Sequence, residues 1–444
     1  MTRSRKILLG TIAAAGVAAA LVFAILDRWK TDGPRGDSFA AAAVERDDRA
    51  GGAGETSRSQ TPAYDTARAS TPPTRPSSGT LASRVANPAG PGGNAGALRY
   101  DSEYPTIDYA GTPLTGRIGA LARRLADGTA ALENRPQRGL LQSLLAELDI
   151  DVASQIMVFS KTSLQVDSVR PESPRAIYFN DDTYVAYVHG AKSIEIASMD
   201  PVLGPVFHTL SRGADGEPAL VREDNRCLSC HDSLSLTGGG VPRFLVGSGY
   251  IGTEGDLISH EGWILMRPWT PLKNRWGGWY VTGRPGGQAH LGNVVVEDIA
   301  DLEDVEALRI GNLESLDGVI DTGPYPSPYS DIVALLVVQD QIQVQNDITR
   351  THWDLLQAIG APAADAETVL AAMPAKELEA LLYENTEVLI ESLVMAFDVE
   401  LTEPIAGTSG FTEWFEAQGP HDKQGRSLRE LDLQTRIFRY PLSY

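Results

Sequence analysis

The chain is poor in cysteine: 444 residues contain two, Cys227 and Cys230. A scaffold of several disulfides is thereby excluded. So is a structural zinc site, which wants four nitrogen or sulfur ligands and has no second cysteine pair to draw on. Basic residues are outnumbered, 38 Lys+Arg against 58 Asp+Glu for a net charge of −20, which argues against nucleic acid as a partner. The glycine-rich stretch 238–252 contains no G-x-x-x-x-G-K-S/T sequence, so a phosphate-cradling loop is unsupported. No nucleophile elbow surrounds Ser229. Residues 31–98 lack a periodic repeat, so they do not suggest collagen or a solenoid.

Both cysteines stand in one short stretch, Cys227-Leu228-Ser229-Cys230-His231. This is the C-x-x-C-H pattern of c-type haem attachment. Two thiols at this spacing can add to the two vinyl groups of one porphyrin, and the adjacent imidazole can take an axial position on the iron. Cys227, Cys230 and His231 are therefore the expected ligands of a single covalent haem c. A local disulfide or a thioredoxin-like redox pair competes with this reading. That motif usually opens a helix in a βαβ unit, whereas here Pro205, Gly213, Gly216 and Pro218 precede it and Thr237-Gly238-Gly239-Gly240 follows.

The chain divides into three regions. Residues 1–30 open with Arg3, Arg5 and Lys6, followed by an uncharged apolar run from Ile7 to Leu26. The run is long enough to span a bilayer as a helix, and its basic flank places the rest of the chain outside the cytoplasm. The alternative is a signal peptide cut near Ala40 to Ala43 and releasing the domain. Residues 31–98, rich in Ala, Gly, Pro, Ser and Thr, read as a disordered tether, with a mean reach on the order of 45 Å. Residues 1–98 carry 12 Lys+Arg against 8 Asp+Glu, leaving 26 against 50 for the globular region 99–444. Such acidity keeps a domain soluble and also fits steering toward a basic redox partner.

The globular region reads as α+β. Ile118, Leu121 and Leu125, then Leu140, Leu141, Leu144, Leu145 and Leu148, repeat at helical spacing and predict two short helices. From Gln155 the pattern turns to short β-branched and aromatic runs: Ile156–Phe159, Ala176–Phe179, Tyr184–Val188 and Ser193–Met199, the last two joined across Gly190-Ala191-Lys192. These predict an antiparallel sheet, with the haem motif in a loop-rich stretch after it. Long helices close the chain: one from Asp331 toward Ile359, with Ser327 as cap and Pro328 at its first position, and one over Lys376–Phe397. On the first, Val337, Val344, Ile348, His352 and Leu355 form the expected buried stripe. Ile437, Phe438, Tyr440 and Leu442 alternate as a terminal strand. Trp263, Trp269, Trp276, Trp279 and Tyr280, between Asp256 and Gly283, can wall a porphyrin pocket or join the sheet. Asp181-Asp182 reads as a solvated acidic turn rather than a calcium site.

The motif resembles that of c-type cytochromes in general. A narrower likeness rests on Arg275-Trp276-Gly277-Gly278-Trp279-Tyr280-Val281-Thr282-Gly283, on His290-Leu291-Gly292-Asn293, and on Ala176-Ile177-Tyr178-Phe179-Asn180-Asp181-Asp182. Ser330-Asp331-Ile332-Val333-Ala334-Leu335 and Gly425-Arg426-Ser427-Leu428-Arg429 add to it. Over roughly residues 150–444 the chain is similar to large bacterial cytochrome c domain-containing proteins with a single C-x-x-C-H. The resemblance implies haem, periplasmic attachment and a chain continuing past Tyr444, but little further chemistry. In that group a histidine often precedes the Arg-Trp-Gly-Gly-Trp segment, where this chain has Met266-Arg267-Pro268-Trp269.

The expected function is electron transfer by a membrane-anchored, periplasm-facing monohaem cytochrome. The alternatives are a peroxidase-like haem enzyme with an open iron position and a haem-containing interaction or sensor domain. The sixth ligand decides among them. His290 is the leading candidate, flanked by glycines that let backbone approach closely. Met266 is second, with His260 and His352 further alternatives.

Overall fold

The computed structural model describes residues 104–436, apart from 137, 214–215, 238–239, 259–262, 309–310, 394 and 396–397. The apolar run 7–26, the tether and the terminal strand expected at 437–442 lie outside the described residues. Among the described residues, no helix is long and apolar enough to cross a membrane.

Two short helices come first, α1 (Arg117–Ala126) and α2 (Leu141–Glu147). They bury Ile118 and Leu121, and Leu141, Leu144 and Leu145, the periodic positions of the sequence. Strands β1 (Ile156–Val158), β2 (Arg175–Phe179), β3 (Thr183–Tyr187), β4 (Ser193–Asp200), β5 (Gly204–Arg212) and β6 (Pro218–Arg222) follow. With β9 (Trp279–Tyr280) they form one seven-stranded antiparallel sheet in the order β6-β5-β4-β3-β2-β1-β9. The first four strands match the sequence reading; β5 and β6 go beyond it. Pro218 opens the edge strand β6, where a missing N–H disturbs the ladder least. A small second sheet pairs β7 (Gly247–Ser248) with β8 (Ile264–Leu265).

The stretch after β6 is not all loop. Helix α3 (Asp224–His231) carries the cysteine motif, and α4 (Leu234–Thr237) follows. The architecture is α+β, with long helices at the C-terminal end: α5 (Ile332–Ile359), α6 (Ala363–Ala372) and α7 (Ala375–Leu393), then the shorter α8 (Phe411–Glu416) and α9 (Leu428–Arg436). Helix α5 packs on β5 and is itself covered by α6, α7 and α8.

Helix α5 starts four residues later than its Ser-Pro signal. Asp331, not Ser327, is its cap, accepting the Val333 N–H at 2.8 Å. The carbonyls of Ser327 and Tyr329 instead accept from Gln155 Nε2 at 2.6 and 2.7 Å, which ties that segment to β1. The helix ends at Gly360, whose φ of 62° is the left-handed C-cap conformation glycine adopts freely. The buried face also departs from the expected stripe. Ile348 is exposed, while Gln339, Gln343, Gln345, Asn346 and Thr349 are buried. These polar residues replace apolar packing with directed bonds: Gln345 donates to the Asp181 carbonyl at 2.7 Å, and Asn346 holds both the N–H and the carbonyl of Phe244, at 2.8 and 3.0 Å.

Candidate functional site

Helix α3 presents its two thiols three residues apart, so both face one side. Asp224 in its first turn complements the helix dipole, and Arg222 Nε anchors that carboxylate at 2.7 Å. Glu223, just before the helix, accepts from Thr209 Oγ1 of β5 at 2.7 Å. The motif is thereby fastened to the sheet edge.

Cys227, Cys230 and His231 line a cavity of about 230 Å³. One face of the sheet forms its floor. Ile156, Ile177, Ala186 and Glu195 are successive register partners, and Ala197 pairs with Phe207; all of them line the cavity. The remaining wall is Phe244, Trp263, Trp279, Val338 and Ile342 with the backbone of Gly247, Gly249 and Gly277. A side chain here would crowd the wall: a Cβ on Gly247 would stand 3.1 Å from the Trp263 indole, and one on Gly249 would stand 3.0 Å from it.

His231 is fixed through one ring nitrogen. Its Nδ1 lies 2.7 Å from the Arg243 carbonyl. A carbonyl can only accept, so Nδ1 carries the proton and Nε2 keeps its lone pair. Burial pushes the imidazole down to about 4, so it is neutral near pH 7. The ring rests 4.3 Å from that of Phe207. The thiols are free. Burial, and then Glu195, push Cys227 up to about 12, and burial raises Cys230. A disulfide-exchanging pair needs the opposite shift, toward the thiolate.

The other candidate ligands are elsewhere. His290 is buried with its ring edge-on to Trp276, and its Nδ1 accepts the Gly292 N–H at 3.0 Å. Met266 Sδ accepts from Trp276 N and Gln339 Nε2, both at 3.1 Å. Neither residue lines the cavity, nor does His352. His260 lies outside the described residues. Of the aromatic segment, Trp263 and Trp279 wall the cavity, while Trp276 is buried behind it and Trp269 is half exposed. Asp181 and Asp182 are engaged by Arg429 and Arg117. Among the described residues, no group of three or more His, Cys, Asp or Glu side chains could hold a metal ion.

Two cavity residues went unnoticed in the sequence. Arg175 of β2 and Glu195 of β4 form a partly buried ion pair, NH1 to Oε2 at 3.1 Å. The available signal was two charges inside otherwise apolar strands. Nearby, His208 of β5 also borders the cavity, although the register pairs it with Ile196 on the opposite face. Its Nδ1 is buried without a hydrogen-bond partner. Burial, then Arg222, push its imidazole down to about 4, from an ordinary value of 6.5.

A group depressed on folding stabilises the native state fully above its unfolded value, and that contribution is lost as pH falls through the folded one. Stability should therefore drop by about 3 kcal/mol between pH 6.5 and pH 4 on account of His208. Urea midpoints of wild type and His208→Gln across this range should converge toward acid pH. Parallel curves would refute the assignment.

Comparison with protein-family models, with curated proteins and with solved structures finds no match.

Proposed function

We propose that the chain is an exported monohaem c-type protein, with haem c bound covalently through Cys227 and Cys230 and ligated by His231. One arrangement supports this above all: Cys227, Cys230 and His231 all line a single, largely apolar cavity, and the bond from Nδ1 to Arg243 leaves Nε2 free to ligate. When bound, the haem supplies an iron that changes oxidation state and takes a small ligand or an electron. The protein's part is to fix the imidazole through Arg243, to hold both thiols on one helix face, and to exclude water with Phe207, Phe244, Trp263 and Trp279.

Electron transfer by a fully ligated iron needs a second protein ligand. Among the described residues, Met266, His290 and His352 do not line the cavity, whereas His208 does. In the open-site reading a peroxidase-like iron binds a small exogenous molecule. Electron transfer to a basic redox partner is the other reading; it requires a second ligand such as His208 or His260. The same proposal anchors the domain in the cytoplasmic membrane through residues 7–26 and faces it to the periplasm.

Protein made with haem-maturation machinery should keep its haem stain after denaturation, and Cys227→Ala/Cys230→Ala should abolish it. A stain-free wild type sinks the proposal. The ferric spectrum should be high-spin and should change on adding cyanide. A low-spin spectrum that His208→Ala or His260→Ala converts to high-spin would support the electron-transfer reading.

A further inference from the structure

One face of helix α5 carries Gln343, Asn346, Asp347 and Arg350, spaced three and four apart. Two segments pack on it. Asn346 holds the N–H and the carbonyl of Phe244, which sets Arg243 beside that face. Gln343 Oε1 accepts from Arg267 Nη1 at 2.8 Å. The two segments also pair with each other: the Met266 N–H donates to the Val246 carbonyl at 2.8 Å and extends the β7–β8 ladder. That register, continued by one residue, sets Arg267 opposite Leu245. Arg243 and Arg267 then fall on one side of the ribbon as diagonal neighbours. Burial, then Arg350 and Arg267, push the Arg243 guanidinium down, against the pull of Asp347 and Asp232.

The hydrogen-bonding capacity of this cluster is mostly unspent. A guanidinium has five N–H donors and no acceptor. Arg243 Nε is buried without a hydrogen-bond partner, although the residue as a whole is only half-buried. Among the described residues, neither Arg243 nor Arg267 enters an ion pair. Asp347, on the same face, is taken by other groups: both its oxygens accept from Gln343 Nε2, at 3.0 and 2.9 Å, and Oδ2 accepts from Ser392 Oγ at 2.6 Å. Arg350 has its own carboxylate, Asp354, at 3.9 Å. None of the three arginines lines the cavity. Arg267 lies 5.9 Å over the ring of Trp269, which is half exposed, so the cluster opens to solvent at that end.

The surroundings select the size of the ligand. Residues 99–444 carry 26 Lys+Arg against 50 Asp+Glu, so an acidic macromolecule is repelled by the rest of the surface. A small anion meets chiefly the local charge, because exposed charges beyond about 8 Å are largely screened at physiological salt. Guanidinium forks match the paired oxygens of an oxyanion. We propose that Arg243 and Arg267 clamp a small dissolved oxyanion of the phosphate class, with Arg350 adding positive charge behind them. The site is separate from the haem cavity and does not rest on the haem reading. It bears on the motif all the same: the Arg243 N–H donates to the His231 carbonyl at 2.9 Å, and the Arg243 carbonyl accepts from the His231 ring.

Equilibrium dialysis of the full-length protein with labelled inorganic phosphate tests this, in potassium chloride of constant ionic strength. Wild type should bind one phosphate ion per chain, saturably. Arg243→Gln and Arg267→Gln should each weaken binding by about 10-fold or more, the scale of one charge-assisted hydrogen bond. Arg243→Lys keeps the charge without the fork and should fall between. The Arg243 guanidinium holds no other residue in place, so its removal should leave the thermal melt unchanged. Arg284→Gln removes an exposed cation that pairs with Glu314 and should bind phosphate as wild type does. A wild type without saturable binding overturns the inference and leaves the haem proposal, read by stain, untouched. Equal affinity in wild type and both Gln variants overturns it too, because the phosphate then sits elsewhere. So does equal weakening by Arg284→Gln, which would mark a general charge effect.

Discussion

Asp331→Ala should destabilise the protein by about 4 kcal/mol. The side chain is fully buried. Its Oδ1 caps α5 through the Val333 N–H at 2.8 Å, and Oδ2 accepts from Thr408 N at 3.1 Å, Ser409 N at 2.9 Å and Ser409 Oγ at 2.6 Å. Loss of a cap alone costs about 1–2 kcal/mol. Leaving buried donors unsatisfied adds about 1–3 kcal/mol. Alanine removes every acceptor at once, whereas Asn keeps one oxygen and should lose roughly half as much. The neighbouring backbone amplifies the effect. Ser330 Oγ accepts from Met157 N of β1 at 2.8 Å and donates to the Tyr280 carbonyl of β9 at 2.6 Å. A displaced Asp331 therefore loosens the edge at which β9 joins the sheet. Urea denaturation should show a lower midpoint with an unchanged slope; a shift worth under about 1 kcal/mol would refute the account.

Gly277→Ala should cost about 3 kcal/mol and, on the proposed haem reading, also diminish haem incorporation. A Cβ at this position would lie 2.3 Å from the Gly249 carbonyl oxygen and 2.9 Å from its nitrogen. Those are backbone atoms, so no rotamer change relieves the clash. The two segments are joined by the Gly249 N–H to the Gly277 carbonyl at 3.2 Å and by the Gly277 N–H to Ser248 Oγ at 2.8 Å. Forcing them apart opens the wall on which Trp263 lies. Gly410→Ala is the control: nothing stands within 4 Å of its added Cβ, and the exchange at a helix cap costs only about 1 kcal/mol or less. Thermal melts and haem stain of the two variants, prepared side by side, check the prediction. A Gly277→Ala protein with wild-type stability and stain would show that the wall yields without consequence.

The elements legible in the sequence are those whose side chains alternate or repeat against one buried face. Strand β4 is the clearest, with buried and half-buried residues in strict alternation. Strand β5 was hidden because seven successive residues from Gly204 are buried, which erases the alternation, and because Pro205 reads as a breaker. The start of α5 was misread because Ser327-Pro328 is a strong local signal. Gln155, 172 positions away, overrides it by claiming the Ser327 carbonyl. Its buried face was misread for a related reason. Gln339 and Gln343 are polar in composition but pair inward, with Arg275 and Arg267. At the site, Cys227, Cys230 and His231 were legible because the whole C-x-x-C-H pattern lies within five consecutive residues. Arg175 and Glu195 were not, because only strand register brings them together.

The lining of the cavity is ordered along the chain. Its floor ends at Phe207 of β5, the thiols follow at Cys227 and Cys230, and the covering residues come last, from Phe244 to Ile342. The meander from β1 to β6 pairs each strand with its neighbour in sequence, the kind of local topology that forms early. A chain delivered N-terminus first therefore has a completed floor and two reachable thiols before any of its cover exists. On the proposed haem reading, that interval is when the thiols are open to attachment, before Val338 and Ile342 of α5 cover the cavity.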